Sequence, residues 1–209
     1  MGGKAVQRTG RRALASRLSS VLSLWGAGFR SPGTVFAALP RRGEPAIGAA
    51  AVLTRFVVTD LLETVPQAML GRRPFTPTTL PITPDRHYRV QALYLPAFGM
   101  AQWVLMGCVA QGVLRLSGER SELARVLDAI GVGMLIPMPA LWASDTLMLA
   151  TDTYRLPGLA VTHSLVQLWE AGLFTVGLHA ALGVPWRPAV MAGAAAGAVY
   201  VPGGARFIR

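Results

Sequence analysis

Four stretches of this chain, 46–70, 90–116, 126–150 and 159–184, are each apolar over 25 residues or more. A helix needs roughly 20 residues to cross a hydrocarbon core of about 30 Å, so each stretch is long enough to span a bilayer. Their apolar residues lie around most of the helix rather than along one stripe. With 209 residues, 52% of them apolar and only 14% charged, the chain has no aqueous way to cover four such helices. Lipid is the solvent that remains, and in lipid the backbone must close its own hydrogen bonds, which dictates helix. A fifth stretch, 189–202, is shorter and rich in Ala and Gly, and it reads as a short span. The expected fold is an all-α integral membrane protein of about five transmembrane helices. Pro96, Pro137, Pro139 and Pro202 lie inside these spans and predict kinks.

The net charge of +10 is uneven: eight basic residues and no acidic one precede Glu44. In a soluble chain such a charge suggests nucleic acid, but here the Arg residues flank apolar spans, where anionic lipid head groups are the nearer partner. No nucleic-acid partner is expected. Leu14, Leu18, Val21, Leu22, Trp25 and Phe29 recur at helical spacing, with Arg11, Arg12, Arg17 and serines on the other side. That pattern predicts a basic amphipathic helix lying in the membrane surface ahead of the spans, a better fit than a cleaved signal peptide, whose apolar region Arg17 would interrupt. Pro32 predicts the start of a second short helix with Phe36 and Leu39 on its apolar side. The chain thus divides into a basic N-terminal region, 1–44, and a transmembrane domain, 45–209.

The linkers are legible as well. Residues 71–89 hold Pro74, Pro77, Pro81 and Pro84 and read as an extended connector that solvates His87, while 117–125 is a short charged turn. The Lys/Arg bias orients the bundle. With five spans and the N-terminus in the cytoplasm, twelve basic residues fall inside and seven outside, which predicts a multi-pass protein of the inner (plasma) membrane if the source is bacterial. Arg55, Asp60 and Glu63 weaken the first stretch as a span.

Ionisable residues at membrane depth cost on the order of 2.5 to 3.5 kcal/mol each, so they are expected to face the protein interior and to mark a site. Asp60, Glu63 and Gln67 fall at i, i+3 and i+7 on the first span. Asp145 lies on the third, and His163, Gln167 and Glu170 fall at i, i+4 and i+7 on the fourth. If the three stripes converge, they make a proton relay or a divalent-cation site, although His163 and Glu170 are about 10 Å apart along a helix and would not share one ion. The competing reading is structural: the stripes pair with one another and with Arg55 or Arg125 to fix helix neighbours. Asp128 and His179 sit near span ends and read as interfacial, Cys108 as a small core residue, and Gly193 with Gly197 as a helix-packing face inside the protomer. No phosphate-binding loop, nucleophile elbow or zinc-protease helix occurs, so no catalytic residue, metal site or cofactor is expected.

Three segments carry a family likeness: 29–39 (FRSPGTVFAAL), 114–138 (LRLSGERSELARVLDAIGVGMLIPM) and 156–178 (LPGLAVTHSLVQLWEAGLFTVGL). In this order they resemble the Yip family, the Ypt/Rab-interacting multi-span membrane proteins, in its bacterial form. The resemblance covers roughly residues 29–208. It implies a five-helix membrane domain, a cytoplasmic N-terminal region and no enzymatic activity. The chain lacks an Asp-Leu-Trp-Gly-Pro segment ahead of the first span and has only Thr59, Asp60, Leu61 and Leu62 within it, so GTPase binding does not carry over. The expected function is therefore a non-enzymatic membrane scaffold or partner-binding protein. The alternative is a small proton- or ion-coupled transporter using the intramembrane carboxylates and His163.

Overall fold

The computed structural model describes residues 26–41, 43, 45–75 and 81–207, and from 201 onward only the course of the backbone. Most of the expected amphipathic helix lies outside the described residues. Its last part, 26–30, is helical, and Phe29 meets Trp169 edge to face at 5.3 Å between ring centroids. Pro32 opens helix α1, Pro32–Ala37, as expected, and Phe36 and Leu39 are buried.

Six longer helices follow. α2, Pro45–Met69, contains a π-helical turn at Asp60–Thr64. α3, His87–Leu116, is preceded by a 3-10 turn at Pro84–Arg86. α4 is Leu123–Leu135, α5 Met138–Ala150, α6 Leu156–Leu182 and α7 Trp186–Phe207. No strand occurs among the described residues. Four stretches, Pro45–Met69, Pro84–Leu116, Leu123–Ala150 and Leu156–Leu182, are long and apolar enough to cross a membrane. Leu61, Leu93, Leu165 and Leu168 stand exposed along their outer faces, a surface that only lipid covers favourably. The chain is an all-α membrane protein. α7, expected as the fifth span, is 22 residues long, about 33 Å at 1.5 Å per residue, yet Ala and Gly dominate it and it is not among the four.

Proline places two of the irregularities. The third stretch breaks at Ile136–Pro137 into α4 and α5, because Pro137 has no N–H to continue the ladder. In α2 the ring of Pro66 crowds the carbonyl of Leu62, and the π turn just upstream opens the helix there. Pro96, by contrast, sits inside a continuous α3. α3 and α6 both stop at a residue with positive φ, Gly118 at 83° and Gly183 at 72°, a backbone state that glycine adopts without a Cβ clash.

α4 is the centre of the bundle. In its stretch, 78% of the most apolar window is buried, against 28%, 33% and 39% for the others, and α2, α3 and α6 all pack on it. α7 lies against α3 and α6. The closest approach is between α2 and α4: a Cβ on Gly131 would come within 2.6 Å of the Gly48 backbone. Gly48 N–H donates to Asp128 at 3.0 Å at the same crossing. Asp128 is thus a buried interhelical acceptor, not an interfacial residue. Its position one turn inside α4 faces it to α2 rather than to the membrane surface. Gly131→Ala should push the two helices apart and cost about 1 to 3 kcal/mol, read as a lower melting temperature of the purified protein in detergent.

The Gly193 face packs within the protomer, since a Cβ there would meet Thr175 of α6 at 2.9 Å from its backbone nitrogen. Two further expectations differ. His87 is buried at the start of α3 and meets the Tyr88 ring at 5.1 Å, because the helix begins before the point where the apolar run does. Cys108 is exposed on the outer face of α3, beside Val104 and Leu105, which the turn of the helix also directs outward.

Candidate functional site

Arg55 is the polar centre of the bundle. It sits mid-way along α2, 4% exposed, with its guanidinium between three helices. It pairs with Glu170 of α6, donates to the Tyr200 hydroxyl of α7, and donates to Met134 O at 2.7 Å. The last bond follows from the break in the third stretch, which leaves carbonyls at the end of α4 without helical donors. Glu170 and Tyr200 thus meet on one guanidinium, which joins α6 and α7 to α2. The guanidinium lies 5.2 Å from the Tyr200 ring centroid and 5.4 Å from that of Phe56. Of the two structural pairings expected for the stripes, the one with Arg55 is present. Arg125 instead donates to Ala181 O at the end of α6, a favourable place for a cation at a helix C-terminus.

A second polar cluster lies nearer the connector end. Asp145 of α5 is fully buried, and its Oδ2 is 2.9 Å from His163 Nε2 of α6. Glu63 of α2 is buried close enough to the same Asp145 for their charges to interact. Trp142, one turn before Asp145, donates its indole N–H to Thr59 Oγ1 at 2.9 Å and ties α5 to the π turn. Gln67 is buried, with its amide nitrogen 3.5 Å from the Tyr154 hydroxyl.

The two clusters border one cavity of about 470 Å³, lined among others by Arg55, Glu63, Gln67, Gln91, His163, Gln167, Tyr154 and Tyr200. Its depth follows from helix geometry: Arg55 lies fourteen residues before Met69, about 21 Å from the connector end of α2. Phe75 and Tyr154 stand at that end, 5.9 Å apart between centroids. Tyr154 belongs to the linker between α5 and α6. Burial, and secondarily the nearby Glu63 and Asp145, push its phenol above the ordinary value, so it stays a neutral hydroxyl. Arg72 and Asp152 pair at 2.7 Å across the same end and hold the two linkers together.

Of the seven residues expected in a polar cluster, Glu63, Gln67, Asp145, His163, Gln167 and Glu170 are brought to this cavity or to side chains that line it. Asp60 is not. The π turn makes a wider turn than an α-helix, so residues three apart no longer stand one above the other, and Asp60 is half-buried with Thr64 as its partner. Gln91, Tyr154 and Tyr200 were not among the expected residues. Gln91 is one of three glutamines in α3 and Tyr200 is the one tyrosine in the Ala- and Gly-rich α7, the local signals that pointed to them.

Among the described residues, no group of three or more His, Cys, Asp or Glu is arranged to hold a metal ion. No family model, curated protein or solved structure matches the chain.

Proposed function

We propose that the protein is a small membrane transporter whose solute enters the polar cavity from the connector end and exchanges with a proton held by Glu63, Asp145 and His163. The observation that carries this reading is a buried carboxyl group, Glu63, on the cavity wall with no basic partner among the described residues and with the buried Asp145 and its neighbour His163 close by. Two neighbouring buried carboxyl groups favour holding one proton between them, because two carboxylates have no donor to share and repel each other. His163, 38% exposed and bonded to the same Asp145, gives that proton a route toward the cavity.

The scaffold function implied by the Yip resemblance fits a bundle of this kind but gives a cavity lined by a buried carboxyl group and three glutamines no task. Polar groups at membrane depth are expensive. Arg55 and Glu170 answer each other and repay that cost in helix packing, whereas Glu63 has no basic partner among the described residues, and this difference favours transport. The expected orientation, with the N-terminus in the cytoplasm, would open the cavity to the outside of an inner membrane.

The test is reconstitution into liposomes loaded with a pH-sensitive dye. Guanidinium, choline, gluconate, glucose, sodium and potassium are added outside, one at a time. One class of solute should move the internal pH, and Asp145→Asn should abolish the response. No response to any of them from folded, correctly inserted protein would overturn the reading.

A further inference from the structure

The cavity wall has a one-sided chemistry. Glu63 Oε1, Gln67 Oε1 and Gln91 Oε1 are buried and without a hydrogen-bond partner, and all three residues line the cavity. Just behind the wall, Asp145 Oδ1 and Glu170 Oε2 are also unpartnered. All five are acceptors. A buried polar atom left without a partner costs about 1 to 3 kcal/mol, and the three acceptors that line the cavity call for a ligand rich in N–H donors.

The charges have the same sense. Glu170 is answered by Arg55 and Asp145 hydrogen-bonds His163, but among the described residues Glu63 forms no ion pair with a basic side chain. Phe56, Phe75, Tyr88, Tyr154 and Tyr200 add aromatic rings to the same lining, and ring faces attract cations. The acceptors are spread along the wall rather than gathered on a point, which suits a cation with several N–H arms better than a bare ion.

We infer that the cavity receives a small organic cation, an ammonium or guanidinium, whose N–H groups take up the open acceptors of Glu63, Gln67 and Gln91. This rests on the reading of the cavity as a solute site. Its exchange for the Glu63 and Asp145 proton balances charge: one cation enters the wall as one proton leaves it. The shared chemistry has two sources, a free cation from water or the amine of a phosphatidylethanolamine head group.

The experiment uses full-length protein with Cys108→Ser and Ala160→Cys, which places one thiol on the cavity wall, in phosphatidylcholine nanodiscs. Labelling rates with a trimethylammonium methanethiosulfonate and with its sulfonate analogue are each divided by the rate at Ser117→Cys, in the exposed turn at the other end. At a pH high enough for the shared proton to leave Glu63, the normalised rate of the cationic reagent should exceed that of the anionic one about tenfold or more, the effect expected of one carboxylate in a partly shielded site. Adding Glu63→Gln should bring the ratio near one, and Gln91→Leu should weaken protection by guanidinium even if Glu63→Gln fails to fold. Protection by guanidinium in water assigns a free cation, and protection by added phosphatidylethanolamine assigns the lipid. Equal normalised rates, or faster labelling by the anion, would overturn the cation inference while leaving a water-filled solute cavity in place. If neither reagent reaches Ala160→Cys, the transport reading falls with it.

Discussion

Arg55→Met lowers the stability of the protein by about 3 to 5 kcal/mol, the largest single-residue loss expected anywhere in the bundle. The substitution removes the partner of a carboxylate that is 0% exposed on its side chain, and an unanswered buried charge is far more costly than an absent pair. It also strips the Tyr200 hydroxyl and Met134 O of a donor, so α7 and the broken end of α4 lose their tie to α2 together. For a chain of this size the loss corresponds to a fall of roughly 10 °C in melting temperature, measured by fluorescence in detergent. Arg55→Met combined with Glu170→Leu should recover most of that fall. The double variant leaves no charge behind, and apolar residues of similar volume replace buried ion pairs at little or no cost. If the double variant is as unstable as the single one, the pair does not act as a unit and Arg55 contributes through the Tyr200 hydroxyl and Met134 O.

That contrast separates two kinds of buried charge that the sequence presents as alike. Asp60, Glu63, Gln67, Asp145, His163, Gln167 and Glu170 all stand out for the same reason, polarity in apolar helices. Their spacing gave the face of each helix, and for α6 this was sufficient: an unbroken α-helix from Leu156 to Leu182 keeps His163, Gln167 and Glu170 on one side. It was not sufficient for α2. Pro66 induces a π turn over Asp60–Thr64, and that local change of period turns Asp60 away from the residues it should accompany. Nor does spacing report partners. Arg55 lies 115 residues from Glu170 and 145 from Tyr200, and only the packing of α2 against α4, with α6 and α7 behind, brings the three together.

The spans themselves were the most legible part, because a long apolar run in a small chain leaves few alternatives. What composition could not supply was the hierarchy among them. α4 carries Gly131 and Gly133 and is short, features that weaken a soluble helix, yet its small residues let neighbours close in and make it the core. Asp128 was misplaced for the same reason. Depth was judged from distance to the end of the apolar run, whereas burial here is set by the Gly48 and Gly131 crossing, which seals Asp128 inside.

Glu63→Gln, unlike Arg55→Met, should leave the protein folded and its transport lost. Glu63 forms no ion pair among the described residues, so its amide isostere orphans no partner, and the melting temperature should stay close to that of the unchanged protein. The Gln amide has the shape of the carboxyl group it replaces, which keeps the geometry of the wall. What it cannot do is give up a proton. The solute-driven pH change in liposomes should therefore fall at least about tenfold, in the range typical for removing a positioned acid or base group. Asp145→Asn should behave alike in flux, with some added instability because His163 loses its carboxylate. Glu170→Gln should show the reverse pattern, a clear drop in melting temperature with flux per folded molecule retained. If Glu63→Gln transports normally, the closeness of the two carboxyl groups is a packing device, and the polar cavity serves the architecture of the bundle rather than a passing proton.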